Sequence, residues 1–356
     1  MLKKSKIKIH LVGGARPNFI KLSPLLSKLE CDRTFETKFI NTGQHYDFIL
    51  YEKILKDLGL RSPDVNLGVG SCSSNTQISR IMFRYEKYLT KNRPDIIMVF
   101  GDVNSTLAAA LTAKKMGVKL GHVEAGLRCY DESLPEEVNR RITDSISDFL
   151  FTPSVIENQN LKHENINKNI FFVGNIMIDS LKIIMKKNKM KPHSNHDYGL
   201  VTFHRPENVD FKNQLSNILD KLREISKKIP LVFSVHPRTI RSLKKFKLLQ
   251  TINSLTNIKL YNSLGYLDFL NYLKHCKFVI SDSGGVQEES SFLGIPCYTL
   301  RKSTERPITI KKGTNILVNV NSVMKKMISI KKKRKIKIDK WDGNTSSRIV
   351  NLLKKI

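Results

Sequence analysis

Strand-length apolar runs alternate with helix-length segments along most of this chain, and no other feature leaves so few folds open to it. The runs Ile7–Val12, Phe35–Asn41, Asp95–Phe100, Lys119–Val123, Phe149–Thr152 and Ile170–Val173 are rich in β-branched and aromatic residues and bounded by polar or glycine positions. The segments between them are long enough for helices, and a strand–helix–strand rhythm of this kind makes parallel sheets. One helix is expected to start at the capping cluster Asn104-Ser105-Thr106 and to run from Leu107 to Met116, where Gly117 closes it. A second series follows, with strands at Gly199–Phe203, Leu231–Val235, Ile258–Tyr261, Phe278–Ser281 and Pro296–Leu300 and helices near 211–228, 265–275 and 284–293. Between the series, Lys182 to Tyr198 is rich in Lys, Asn, His and Ser, which places a domain boundary there. The fold class is therefore α/β, as two doubly wound domains, 1–180 and 181–342, with a short amphipathic closing helix over Thr345–Ile356.

At 356 residues the chain is long enough for two full cores. No uninterrupted apolar stretch reaches the roughly 18 residues of a membrane span, and Met1–Lys6 leads only into a strand-length run, so neither a span nor a signal peptide is expected. The five cysteines are scattered without close pairs, which suits reduced thiols in a cytoplasmic protein. A net charge of +29 raises nucleic acid as a partner. The lysines, however, spread over many helices without interleaved aromatics, and the densest run, Lys331–Lys335, stands alone near the C-terminus, so a solvated basic surface is the expectation rather than a nucleic-acid groove.

In open α/β sheets ligands bind beyond the carboxyl ends of strands. The segment Val279–Glu289 runs from a strand through Ser283-Gly284-Gly285 into a helix start, where unpaired N–H groups and the helix dipole favour a phosphate. Glu289, four residues after Gly285, shares that helix face and is placed to accept from sugar hydroxyls. After the first strand, Gly13–Lys21 offers Arg16 and Lys21 but no G-x-G-x-x-G spacing, so no dinucleotide cofactor is supported. Asp102 and Glu124 each follow a strand and Glu136 opens a helix after Pro135, with Glu136/Arg140 and Glu137/Arg141 at ion-pair spacing. His204-Arg205 and His236-Pro237-Arg238 follow the first two strands of the second series. No metal-ligand spacing and no nucleophile elbow are found.

Taken in order, Gly14-Ala15-Arg16-Pro17 with Lys21, Thr42-Gly43-Gln44-His45, Gly101-Asp102, Gly121–Arg128, Pro135-Glu136-Glu137 with Asn139-Arg140, His204-Arg205, Asp282–Gly285 with Gln287-Glu288-Glu289, and Thr304–Pro307 closely resemble the non-hydrolysing UDP-N-acetylglucosamine 2-epimerases, over about residues 7–320. The resemblance implies a GT-B fold, two Rossmann-like domains with UDP in the cleft between them and the C-terminal helix (343–356) returned to the first. By motif matching, Ser283, Gly284, Gly285 and His204 hold the diphosphate, Glu289 the ribose, and Phe269 lies by the uracil. Arg16, Lys21 and Arg306 neutralise phosphate and sugar-side charge, and Asp102, Glu124 and Glu136 match the catalytic carboxylates, with His204 at the same centre. The implied reaction removes the C2 proton, expels UDP to give 2-acetamidoglucal, and adds UDP back with the proton on the opposite face. It needs no cofactor, and the family implies a homodimer.

One departure bears on regulation. Relatives that are activated by their own substrate carry a second Gln where Asp47 stands, and an Arg within the stretch that here runs Val69–Ser74 without one, so weak or absent substrate activation is expected. The nearest alternative is a 2-epimerase of the same fold acting on a UDP-diacetamido-uronic acid, which Thr42–Asp47 resembles. A GT-B glycosyltransferase would leave three carboxylates unexplained, and a basic nucleic-acid-binding protein would leave the ordered strand-end clusters unexplained.

Overall fold

The computed structural model describes residues 5–44, 48–192, 197–323 and 336–355. His45 and Asp47 of the expected motif, and the run Lys331–Lys335, lie outside the described residues. The chain divides into two compact units, Met1–Lys187 with Asp339–Ile356, and Asn188–Ile338.

The first unit is built on β1 (Ile7–Gly13), β2 (Phe35–Asn41), β3 (Val65–Asn66), β4 (Ile96–Phe100), β5 (Lys119–Val123), β6 (Phe149–Thr152) and β7 (Ile170–Phe172). All pair in parallel, in the order β3-β2-β1-β4-β5-β6-β7. The second carries β8 (Gly199–Thr202), β9 (Leu231–Val235), β10 (Ile258–Asn262), β11 (Phe278–Ser281), β12 (Cys297–Leu300) and β13 (Asn315–Val318), again all parallel, in the order β10-β9-β8-β11-β12-β13. Both are Rossmann-like, and the strand order reverses at β1/β4 and at β8/β11. Every residue of β4, β9 and β11 is buried, as strands covered by helices on both faces must be.

Two edge strands depart from expectation. Val65–Asn66 is too short to have a period, and Asn315–Val318 is half-buried and follows a Gly-Thr turn, so both read as loop. The capping cluster also behaves differently: the helix Asn104–Lys115 begins at Asn104 with Val103 as its N-cap. Ser105 and Thr106 are thus inside the first turn, and their hydroxyls serve other groups, Ser105 donating to Gln44 Oε1 at 2.7 Å and Thr106 to the Phe100 carbonyl at 2.7 Å. Lys182–Lys187, read as the start of a linker, completes the helix Ile176–Lys187, whose Ile178, Leu181 and Ile184 are buried in the first unit.

The segment from Asp339 returns to the first unit through specific contacts. Trp341 donates its indole N–H to the Pro153 carbonyl at 3.2 Å, and Lys340 donates to the Phe172 carbonyl at 2.8 Å with its ammonium 4.2 Å from the centre of that ring. The helix Thr345–Leu353 is capped from a distance: Asp179 accepts from the backbone N–H groups of Thr345 and Ser346 and from the Ser346 hydroxyl, at 3.1, 2.7 and 2.7 Å. Burial pushes the Asp179 carboxyl above its ordinary range, against these bonds.

Candidate active site

In the first unit the polar residues gather at the switch point. Helix Arg16–Glu30 follows β1 directly, and Asn18 ties its start to the neighbouring strand. The Asn18 side chain accepts from the N–H groups of Gly14 and Ala15, at 3.2 and 3.1 Å, and donates to the Phe100 carbonyl at the end of β4, at 2.7 Å. Gly14 has to be glycine, because a Cβ there would overlap the Thr42 and Ser105 hydroxyls. One turn on, Lys21 is buried and its ammonium pairs with Glu124, which is buried as well. Arg16, at the first position of the helix, is half-buried.

Glu124 adopts φ +77°, in the left-handed region that non-glycine residues rarely occupy. Two N–H bonds hold it there: Glu124 and Ala125 both donate to the Phe151 carbonyl, at 3.0 and 3.1 Å. Strain of this kind costs on the order of 1–3 kcal/mol and persists only where the surroundings over-determine it. It turns the carboxylate towards Lys21 and towards the Gly101 corner, where a Cβ would lie 2.7 Å from the ammonium and 3.2 Å from Glu124 Oε2. Asp102, next along, pairs with the Arg140 guanidinium, and its carbonyl accepts from Asn139 at 2.9 Å.

The expected spacing pairs on helix Pro135–Ile146 are not those formed. Arg140 pairs with Glu137 and Asp102, and Arg141 reaches Glu132 at 2.5 Å and Glu164 at 3.5 Å. Glu137 is fully buried and also accepts from the backbone N–H of Cys129, whereas Glu136 is exposed. The i,i+4 rule assumes a solvated helix face, and here one face turns into the strand ends. Glu137 and Arg140 are therefore structural anchors that spacing alone did not pick out. Among the described residues, no group of three or more His, Cys, Asp or Glu side chains could hold a metal ion.

In the second unit β8 and β11 meet at the other switch point. Ser283 is the N-cap of helix Gly284–Leu293 and makes no side-chain hydrogen bond to it. Behind it, Asp282 is fully buried and accepts from the N–H groups of His204 and Arg205 and from the Asn208 amide, at 3.0, 2.9 and 2.9 Å. That carboxylate fixes the loop after β8, so the His204 ring stands beside Asp282 with Nδ1 3.4 Å from Oδ1 and packs, tilted by 34°, against His236 with ring centres 4.8 Å apart. Asp282 was legible only as part of a motif, since nothing in spacing says that it accepts from a loop 78 residues earlier in the chain.

Arg306 closes against the same helix. It pairs with Glu305 and, through Nε at 3.0 Å, with Glu288, while Arg301 holds the other oxygen of Glu305 at 2.7 Å. A Cβ on Gly284 would strike the Arg306 guanidinium and lie 2.9 Å from Glu305 Oε1, so the glycine makes room for this buried cluster at the turn. Glu289 is buried and accepts from the Tyr266 hydroxyl at 2.7 Å, and Phe269, on helix Tyr266–His275, is buried too.

A sequence model of the family described as UDP-N-acetylglucosamine 2-epimerase matches residues 27–354. A UDP-N-acetylglucosamine 2-epimerase homolog of Methanococcus maripaludis is 42% identical over 98% of this chain and 100% of its own. A UDP-N-acetylglucosamine 2-epimerase of Methanocaldococcus jannaschii is 41% identical, covering 98% and 99%. The crystal structure of the M. jannaschii UDP-GlcNAc 2-epimerase in complex with UDP-GlcNAc and UDP superposes with a TM-score of 0.91 at 40% identity, over 98% of this chain and 100% of that one. Two Rossmann-like units in the GT-B manner are thus shared with proteins similar along their whole length. The chain belongs to the UDP-N-acetylglucosamine 2-epimerase family.

Proposed function

We propose that this protein interconverts UDP-N-acetylglucosamine and UDP-N-acetylmannosamine at C2, without a redox cofactor, as a cytoplasmic homodimer. The observation that carries the reading is the family match over residues 27–354, together with a side-chain-uncapped helix N-terminus at Ser283-Gly284-Gly285 of the kind that receives phosphate.

In this reading Ser283, Gly284, Gly285 and His204 receive the diphosphate, Glu289 the ribose and Phe269 the uracil. Arg16 and Lys21 supply positive charge on the sugar side. The Arg306 guanidinium already faces Glu288 and Glu305, so its contribution is to brace the phosphate turn as well as to attract the anion. Removing a proton from C2 and returning it on the opposite face calls for acid and base groups around that carbon, and Asp102, Glu124 and Glu136 are the carboxylates assigned to it. UDP leaves, 2-acetamidoglucal forms, and UDP adds back. The buried contact of Lys21 with Glu124 supports a role for this pair in proton transfer at the first unit's switch point.

The test is to incubate purified protein with UDP-N-acetylglucosamine alone and follow the sugar by NMR. The manno epimer as a UDP-sugar supports the proposal. Free sugar plus UDP would make the enzyme a hydrolase, and turnover only of a UDP-diacetamido-uronic acid would move it to the neighbouring specificity.

A further inference from the structure

The block Gly121–Arg128 holds more polar chemistry than Glu124 uses. His122 is fully buried, and both of its ring nitrogens meet acceptors: Nδ1 lies 2.7 Å from Asp144 Oδ1, and Nε2 lies 2.8 Å from the Gly101 carbonyl oxygen. A carbonyl only accepts, so Nε2 carries a proton. An ionised carboxylate also only accepts. The second oxygen of Asp144 takes the Arg128 guanidinium at 2.7 Å and the Gly126 N–H at 3.0 Å. Burial pushes the Asp144 carboxyl up, but His122 and Arg128 outweigh it and hold the group below its ordinary value. Nδ1 therefore faces an anion.

A chain of ion pairs runs inward from the surface: Glu132 to Arg141 at 2.5 Å, Arg141 to Glu164 at 3.5 Å, Glu164 to Arg128 at 2.6 Å, and Arg128 to Asp144 at 2.7 Å. Asp144 is thus held from both sides, by Arg128 and by His122. On the far side of Gly101, Lys21 pairs with Glu124.

We propose that His122, buried between the Gly101 carbonyl and Asp144, is a positioning residue for Asp102 and Glu124. Its bond to the Gly101 carbonyl, with the Gly101 N–H donated to the Val123 carbonyl at 3.1 Å, pins Gly101 at φ +66°, one residue before Asp102. Its partner Asp144 holds the Gly126 N–H, two residues after the strained Glu124. One charged cluster thus sets the backbone on which both carboxylates stand. The catalytic consequence rests on the epimerase reading, while the hold on the Gly101 corner does not.

Crystal structures of the wild type and of His122→Ala read the two corners directly. Departure of Gly101 from φ +66° with displacement of the Asp102 carboxylate is expected, and unchanged corners would overturn the proposal. The second arm is kinetic, on His122→Ala, with His122→Gln, whose amide can still donate to Gly101, as the milder variant. Per folded molecule, kcat is expected to fall at least about tenfold with KM for UDP-N-acetylglucosamine held within about twofold, since a small misplacement of reacting groups is costly. An unchanged kcat would refute positioning. If the wild-type protein turns over no nucleotide sugar, the epimerase reading fails, and the variant's structure still decides whether His122 holds the Gly101 corner.

Discussion

The ammonium of Lys21, one turn into the first helix, pairs with the carboxylate of Glu124 at the end of β5, and both side chains are more than nine-tenths buried. Such a pair is weak evidence of stability but strong evidence of mutual dependence, because removing one partner leaves a buried charge alone. Lys21→Met and Glu124→Gln, made singly, are each expected to lower the unfolding free energy by about 3–5 kcal/mol. The double variant is expected to recover more than half of that loss while remaining inactive. Urea melts with a double-mutant cycle check this, and additive losses would show that the two groups do not depend on each other.

Gly284 makes room for the Arg306–Glu305 cluster beside the phosphate turn. Gly284→Ala is expected to displace the guanidinium and weaken UDP binding by at least about tenfold, roughly the 1.4 kcal/mol that one lost charge-assisted bond represents. Titration calorimetry with UDP measures it, and unchanged affinity would mean that Arg306 does not brace the site.

Asp144 predicts how the fold responds to acid. Its folded-state carboxyl lies below its ordinary value, so below that ordinary value the unfolded chain binds more protons than the folded one. The stabilisation is present above about pH 4 and is lost as pH falls through the lower, folded-state value. Asp144→Asn is expected to be less stable at neutral pH and to flatten the loss of stability below about pH 4. An acid melt with the same slope as the wild type would contradict the assignment.

Asp179 caps the returning helix Thr345–Leu353 across 166 residues of sequence. Asp179→Ala is expected to cost about 1–2 kcal/mol, in line with the loss of a helix cap. Hydrogen exchange should show the loss first at the Thr345 and Ser346 amides, and a melt within error of the wild type would remove the capping role.

The strands with dense β-branched runs, the helix N-termini at Pro135 and at Gly284-Gly285, and the ordered motifs were all legible in the sequence, because each rests on local chemistry. The edge strands Val65–Asn66 and Asn315–Val318 were not, since half-buried edges carry little periodicity. Ser105 and Thr106 read as caps because a capping residue and a residue donating back to a strand end look alike in sequence. Asn18, Asp282 and the His122–Asp144–Arg128 cluster act on backbone groups far away in the chain, a relationship that only the folded sheet reveals. Spacing set Arg140 against Glu136 and Arg141 against Glu137, whereas Arg140 pairs with Glu137 and Asp102, because helix spacing does not say which face is buried.

The central claim is that UDP leaves and returns while C2 exchanges its proton. It is tested most directly by incubating the protein with UDP-N-acetylglucosamine in D2O and recording the proton spectrum of the recovered UDP-sugars. The account predicts UDP-N-acetylmannosamine with the C2 proton replaced by deuterium. An epimer that keeps its original proton at C2, or no epimer at all, would contradict it.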